Sequence, residues 1–110
     1  MQALDQPLET PAVIVTLRGD YDLARKDEVR LELSVAQAAR LAIVDLSGAG
    51  FMDSTCLGEI VRLAWSVISS GGKVRVVAPH PHQKKIFNLL GLAKKIELFD
   101  SLADAGRVAA

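Results

Sequence analysis

Val44-Asp45-Leu46-Ser47-Gly48-Ala49-Gly50-Phe51-Met52-Asp53-Ser54-Thr55-Cys56-Leu57-Gly58 is the stretch on which the fold turns. It opens inside the nearly unbroken apolar run 42–46, which suits a strand buried on both faces, as in a parallel sheet covered by helices. Residues 47–54 read as a loop that delivers Asp53-Ser54-Thr55 to the first turn of a helix. Over 54–70 the apolar residues Leu57, Ile60, Val61, Ala64, Val67 and Ile68 recur at helical spacing and lay one stripe against the sheet. Gly71-Gly72 then ends the helix where a left-handed residue is wanted.

Working outward, three more apolar runs at 13–17, 74–78 and 96–99 read as strands, and a short fifth strand is expected before Pro7, with 7–11 as the turn back. Pro81 suits the first turn of a helix that continues through Ile86, Phe87, Leu89 and Leu90 to Gly91. Ser101, with Asp104 three positions on, opens a last helix. Segment 23–39 is ambiguous. Val29, Leu31, Leu33 and Val35 alternate as in a strand, but the segment is made of good helix formers, and two parallel strands need a crossover between them. The reading is a helix. The whole is an α/β domain: a single-layer, mixed but mostly parallel sheet of four to five strands packed with about four helices and right-handed crossovers. Partners of such sheets meet the loops at the carboxyl ends of the strands, here Gly19-Asp20-Tyr21-Asp22, 47–54 and Pro79-His80-Pro81-His82.

The 110 residues fit one domain, residues 1–110 with its core about 12–105, large enough to fold without disulfides or metal. Thirteen Lys and Arg against thirteen Asp and Glu leave no net charge, so the basic surplus of a nucleic-acid binder is missing. The pairs Lys84-Lys85 and Lys94-Lys95 read as a solvated face. Cys56 is the one cysteine, so no internal disulfide forms. Residues 1–11, with Asp5 and Glu9, lack the basic start and apolar run of a secretion signal, and no stretch approaches the ~20 apolar residues of a membrane span. The expected location is the cytoplasm, without membrane insertion.

For Asp53-Ser54 in isolation the plain reading is a helix cap, with Asp53 accepting a backbone N–H. The functional reading rests on place. A hydroxyl at a helix entrance faces unsatisfied N–H groups and a dipole that tolerate a phosphate, and phosphorylation adds about −1.5 to −2 charge there.

Asp45-Leu46-Ser47, the spacer Phe51-Met52, Asp53-Ser54-Thr55 and Leu57-Gly58 resemble the signature of STAS domains, and among these the anti-sigma factor antagonists. Gly19-Asp20-Tyr21-Asp22-Leu23 is similar to the family's turn after its second strand. Gly71-Gly72-Lys73-Val74 and Leu90-Gly91-Leu92, then Ile96 and Phe99, match later landmarks in order and spacing. The resemblance implies a mixed sheet with helices and a partner that is an anti-sigma factor serine kinase using ATP. The dephosphorylated antagonist binds that partner and frees a sigma factor, and a phosphatase resets the cycle. It makes Ser54 the phosphoacceptor, Thr55 the alternative, and Asp22 and Asp53 the flanks of a docking surface that takes in Asp20, Gly58, Arg62 and Trp65. Such a chain is a substrate and binder, not a catalyst. It needs no cofactor or metal and acts as a monomer or weak dimer.

Two departures from the family pattern stand out. Cys56 replaces a small Gly or Ala, and Thr55 a second serine. A thiol at a helix start invites a lowered pKa and redox sensing, against the plainer use as a small apolar residue. Trp65, the only tryptophan, is read either as core or as a partner-facing anchor. His80 and His82 have metal-like spacing but no adjoining ligands in sequence. Two other functions compete: a stand-alone scaffold or accessory subunit of a signalling assembly or lipid-transport complex, without the switch; and an enzyme, through Asp20-Tyr21-Asp22 as a phosphate-transfer motif or a Cys56–His pair.

Overall fold

Parallel pairing governs the layout. In the computed structural model, which describes residues 12–89, 91 and 95–107, the strands β1 (Val13–Tyr21), β2 (Leu41–Met52), β3 (Lys73–Val77) and β4 (Glu97–Phe99) form one sheet in the order β1-β2-β3-β4. Each neighbouring pair is parallel. The crossovers carry α1 (Lys26–Ser34), α2 (Ser54–Ser69) and α3 (Pro81–Leu89), and α4 (Leu102–Arg107) follows the last strand. The strand expected before Pro7, and Leu90 at the end of α3, lie outside the described residues.

Strand periodicity divides the core between the two faces of the sheet. Val15, Leu17, Val44, Leu46, Val74 and Val76 face the larger core, closed by Val29 and Leu33 of α1, Ile60, Ala64 and Val67 of α2, and Phe87 of α3. Ile43 and Val77 face the other way and pack on Ala105 of α4 with Phe99 and Leu41. Arg75 also points to that side. It is buried, paired with Glu97 at 2.9 Å and donating to the Ala105 carbonyl at 2.8 Å, so its charge is met where it lies. Of the lysine pairs, Lys84 is less free than a solvated face implies, since it bridges to Asp100.

Segment 23–39 resolves as a 3-10 turn at Leu23–Arg25 running into α1. Val29 and Leu33 are buried one helical turn apart, whereas Leu31 and Val35 are exposed, so the alternation in the sequence was coincidental. Gly71, at φ +88°, ends α2, and Ser101 Oγ accepts Asp104 N at 3.1 Å at the start of α4, as the sequence predicts.

The strands differ from expectation at their carboxyl ends. Residues 19–22 and 47–54 were expected as loops, but β1 continues to Tyr21 and β2 to Met52. The register shows why. Thr16 pairs with Asp45, Arg18 with Gly48 and Tyr21 with Met52, so β2 absorbs one extra residue at each of two irregularities. Ser47, Gly48 and Gly50 look like breakers, yet they build bulges. Side chains satisfy the amides these bulges free: Asp45 Oδ1 accepts Ser47 N at 3.0 Å and Ser47 Oγ at 2.7 Å, and Asp20 Oδ1 accepts Phe51 N at 2.7 Å. A Cβ on residue 50 would lie 2.4 Å from that Asp20 oxygen, so glycine is required there while the bond stands.

Candidate functional site

The two extended strands release their chains side by side. Asp53 N donates to Tyr21 O at 3.0 Å, tying the start of α2 to the end of β1. Asp53 is the N-cap, extended at φ −79° and ψ 170°, with Oδ1 accepting Cys56 N at 3.0 Å. Asp22 does the same for the 3-10 turn, accepting Ala24 N at 3.0 Å, and its carbonyl accepts the Cys56 Sγ–H at 3.3 Å. Ser54 is the first residue of the helix and exposed, and Thr55 beside it is half-buried. Asp22, Asp53 and Ser54 are thus gathered at one helix entrance, as the sequence predicts. Asp20 belongs to the same strand ends, but its carboxylate is engaged with the β2 backbone.

From Ser54 the exposed face of α2 runs through Gly58, Arg62 and Trp65 at successive turns. Trp65 is 45% exposed and outside the core, which removes the core-packing alternative. Nothing stands within 4 Å of a Cβ placed on Gly58, so bare backbone is presented one turn from Ser54. Beside the entrance an apolar groove of about 350 Å³ opens between Phe51 and Met52 of β2, Leu57 of α2, and Gln83, Ile86 and Phe87 of α3.

Cys56 takes the plainer of its two readings. A helix start can lower a thiol pKa, but here the thiol is pushed up to about 11, by burial first and then by the nearby Asp53 carboxylate. The dipole of one helix turn is outweighed, and the residue is a small buried filler rather than a redox sensor. Asp20 and Asp22 each accept a backbone amide, and among the described residues no group of three or more His, Cys, Asp and Glu is placed to hold a metal. His80 and His82 stack at 5.8 Å between ring centroids, with His80 Nε2 3.3 Å from Ser47 O.

Arg25 was missed in the sequence. Its guanidinium lies 4.0 Å over the Tyr21 ring, donates to the Asp20 carbonyl at 2.7 Å and forks onto Glu28, which holds the Glu28 carboxyl below its ordinary range. The Arg25–Glu28 spacing signals an ion pair, but nothing local signals the ring or the carbonyl. Glu59 was also missed. It is 6% exposed within α2, takes a bidentate pair from Arg30 of α1 at 3.0 and 3.1 Å, and has Arg62 Nε at 3.7 Å.

Known proteins share this fold. An anti-sigma F factor antagonist of Paenibacillus polymyxa is 28% identical over 96 residues, covering 84% of this chain and 82% of its own. The crystal structure of an anti-sigma factor antagonist from Mycobacterium paratuberculosis superposes with a TM-score of 0.77 at 23% identity, covering 89% and 85% of the two chains. The Bacillus cell fate determinant SpoIIAA in its phosphorylated form superposes with a TM-score of 0.70 at 22% identity, covering 92% and 94%. The sequence profile of the STAS domain matches residues 4–105, so this chain, whose parallel sheet delivers Asp53 and Ser54 to the mouth of α2, belongs to the STAS domain family.

Proposed function

We propose that this protein is an anti-sigma factor antagonist whose binding is switched by phosphorylation of Ser54. The observation that carries the reading is the exposed Ser54 hydroxyl at the first position of α2, beside a cap that already uses the Asp53 carboxylate. In this reading a partner serine kinase transfers the γ-phosphoryl group of ATP to Ser54 Oγ, and ADP leaves. The phosphate adds about −1.5 to −2 charge next to Asp22 and Asp53. The helix N-terminus makes that charge tolerable to the fold, while the two carboxylates make it intolerable to a partner surface matched to the dephosphorylated face. A phosphatase restores the hydroxyl.

Exposed Phe51 and Leu23, neighbours of the entrance, and Trp65 farther along α2 supply the apolar area that an interface needs around such a switch. The relatives support the same role: one is named for antagonism of anti-sigma F factor, and another is known in a phosphorylated form. The chain itself binds and is modified, without catalysing a reaction.

The test is incubation with a cognate anti-sigma factor kinase and ATP, followed by mapping of the modified residue. Phosphate is expected on Ser54, with Ser54→Asp abolishing kinase binding and Ser54→Ala keeping it. Label found only away from Ser54 and Thr55 would overturn the mechanism, and so would a Ser54→Asp protein that binds as wild type does.

A further inference from the structure

Across the seam of α1 and α2 lies a second concavity, a cleft of about 310 Å³. Arg30 and Arg62 line it on either side of the buried Glu59, Leu33 and Leu63 are its apolar lining, and Ser66 contributes a hydroxyl. Glu59 is fully used by the two guanidiniums, which hold its carboxyl below the ordinary range. Lys26 also acts on Glu59, and Asp27 acts on Arg30, so the cluster keeps one positive charge in excess. The chain as a whole carries none, which makes this excess a local feature. Arg62 is the less committed cation, with a side chain 72% exposed and its Glu59 contact at 3.7 Å.

We infer that this cleft is a docking pocket for a glutamate or aspartate side chain carried on an acidic segment of the partner protein. The inference rests on reading the outer face of α2 as the docking surface, and it adds the charge layout. Arg62 lies between Gly58 and Trp65 on that face, so one partner surface covers the entrance and the cleft together. The entrance is negative, through Asp22 and Asp53, and the cleft is positive. A matching partner therefore places its acidic group opposite the cleft, two turns farther along the helix from Ser54. A single excess charge and an apolar lining suit the carbon stem and carboxylate of one side chain. They do not suit a polyanion, whose binding draws on many cations.

The probe is the blocked peptide acetyl-Gly-Glu-Leu-Glu-Gly-amide, titrated at low salt and followed by Trp65 fluorescence and by amide shifts of the labelled protein. Saturable shifts are expected at Arg30, Arg62 and Ser66. Affinity should drop about three- to fivefold in Arg62→Gln, the range an exposed ion pair commands, and drop again in about 0.5 M NaCl. The exposed Arg62 can be replaced without unfolding the chain, whereas losing Arg30 would leave a buried carboxylate underpaired. Equal binding of the Gln-for-Glu peptide, an unchanged affinity in Arg62→Gln, or displacement by inorganic phosphate at equal concentration would overturn the inference. Any of these leaves Ser54 phosphorylation to stand or fall on its own mapping.

Discussion

Cys56 shows how tightly the residues around Ser54 are committed. Its thiol donates to the Asp22 carbonyl, its N–H to the Asp53 carboxylate, and no part of it reaches solvent. Its ionisation gives a pH signature. In the unfolded chain the thiol ionises near its ordinary value of 9.0, while in the fold it stays protonated up to about 11. Across that window the unfolded state binds fewer protons than the native state, so stability falls as pH rises. The slope is at most about 1.4 kcal/mol per pH unit. Urea unfolding at several pH values between about 9 and 11 should show this slope in the wild type and lose it in Cys56→Ala, whatever the absolute stabilities. Parallel slopes would mean that the thiol ionises as easily inside as out. At this scale the sequence was legible where a residue acts on its own neighbours. The Asp53 cap and the Ser54 position could be read because an N-cap bond spans only three residues. The roles of Asp20 and Arg30 could not, since their partners Phe51 and Glu59 are 31 and 29 residues away and no periodicity links them.

Among the elements, α2 does the most, and its two neighbouring glycines make opposite predictions. Gly58 sits inside the helix with open space around a would-be Cβ, so Gly58→Ala should stabilise the fold by about 0.5–1 kcal/mol. Gly72, between α2 and β3, has Val67 Cγ1 at 2.7 Å and the Ala39 carbonyl at 2.8 Å from the same point, so Gly72→Ala should destabilise by about 1–3 kcal/mol. Thermal and urea melts of the two variants check both signs. A partner-binding assay then asks why a destabilising glycine is kept at 58: the expected result is a more stable Gly58→Ala protein that binds its partner less well, because a methyl group stands where backbone should meet the partner. Unchanged binding would remove Gly58 from the docking surface. Helix positions were readable because Ile60, Ala64 and Val67 repeat at a period that no strand shares. The ends of β1 and β2 were misread because glycines that normally punctuate a chain here serve bulges, and a bulge is defined by the strand opposite it.

For the molecule as a whole, zero net charge conceals an uneven surface: carboxylates at the mouth of α2, guanidiniums farther along, and an exposed indole beyond them. A domain arranged in this way is held together by the two-sided core and leaves Ser54, Arg62 and Trp65 exposed outside it. Trp65→Ala should therefore weaken partner binding by tenfold or more, the level of an interface hot spot at about 1.4 kcal/mol or above, while shifting the melting temperature by only a degree or two. Calorimetry of the variant and titration with the partner separate the two effects, and a large loss of stability with unchanged affinity would refute the anchor role. The architecture was legible from sequence because strand order followed chain order, which is the simplest arrangement of alternating strands and helices.

The sealed sulfur has one further consequence. Because Asp22 and Asp53 both hold Cys56, no alkylating reagent can reach the lone thiol until the first turn of α2 lets go of the strand ends. The protein thus carries its own clock: the rate at which a neutral maleimide labels it counts how often the gateway around Ser54 breathes, before any partner has been found.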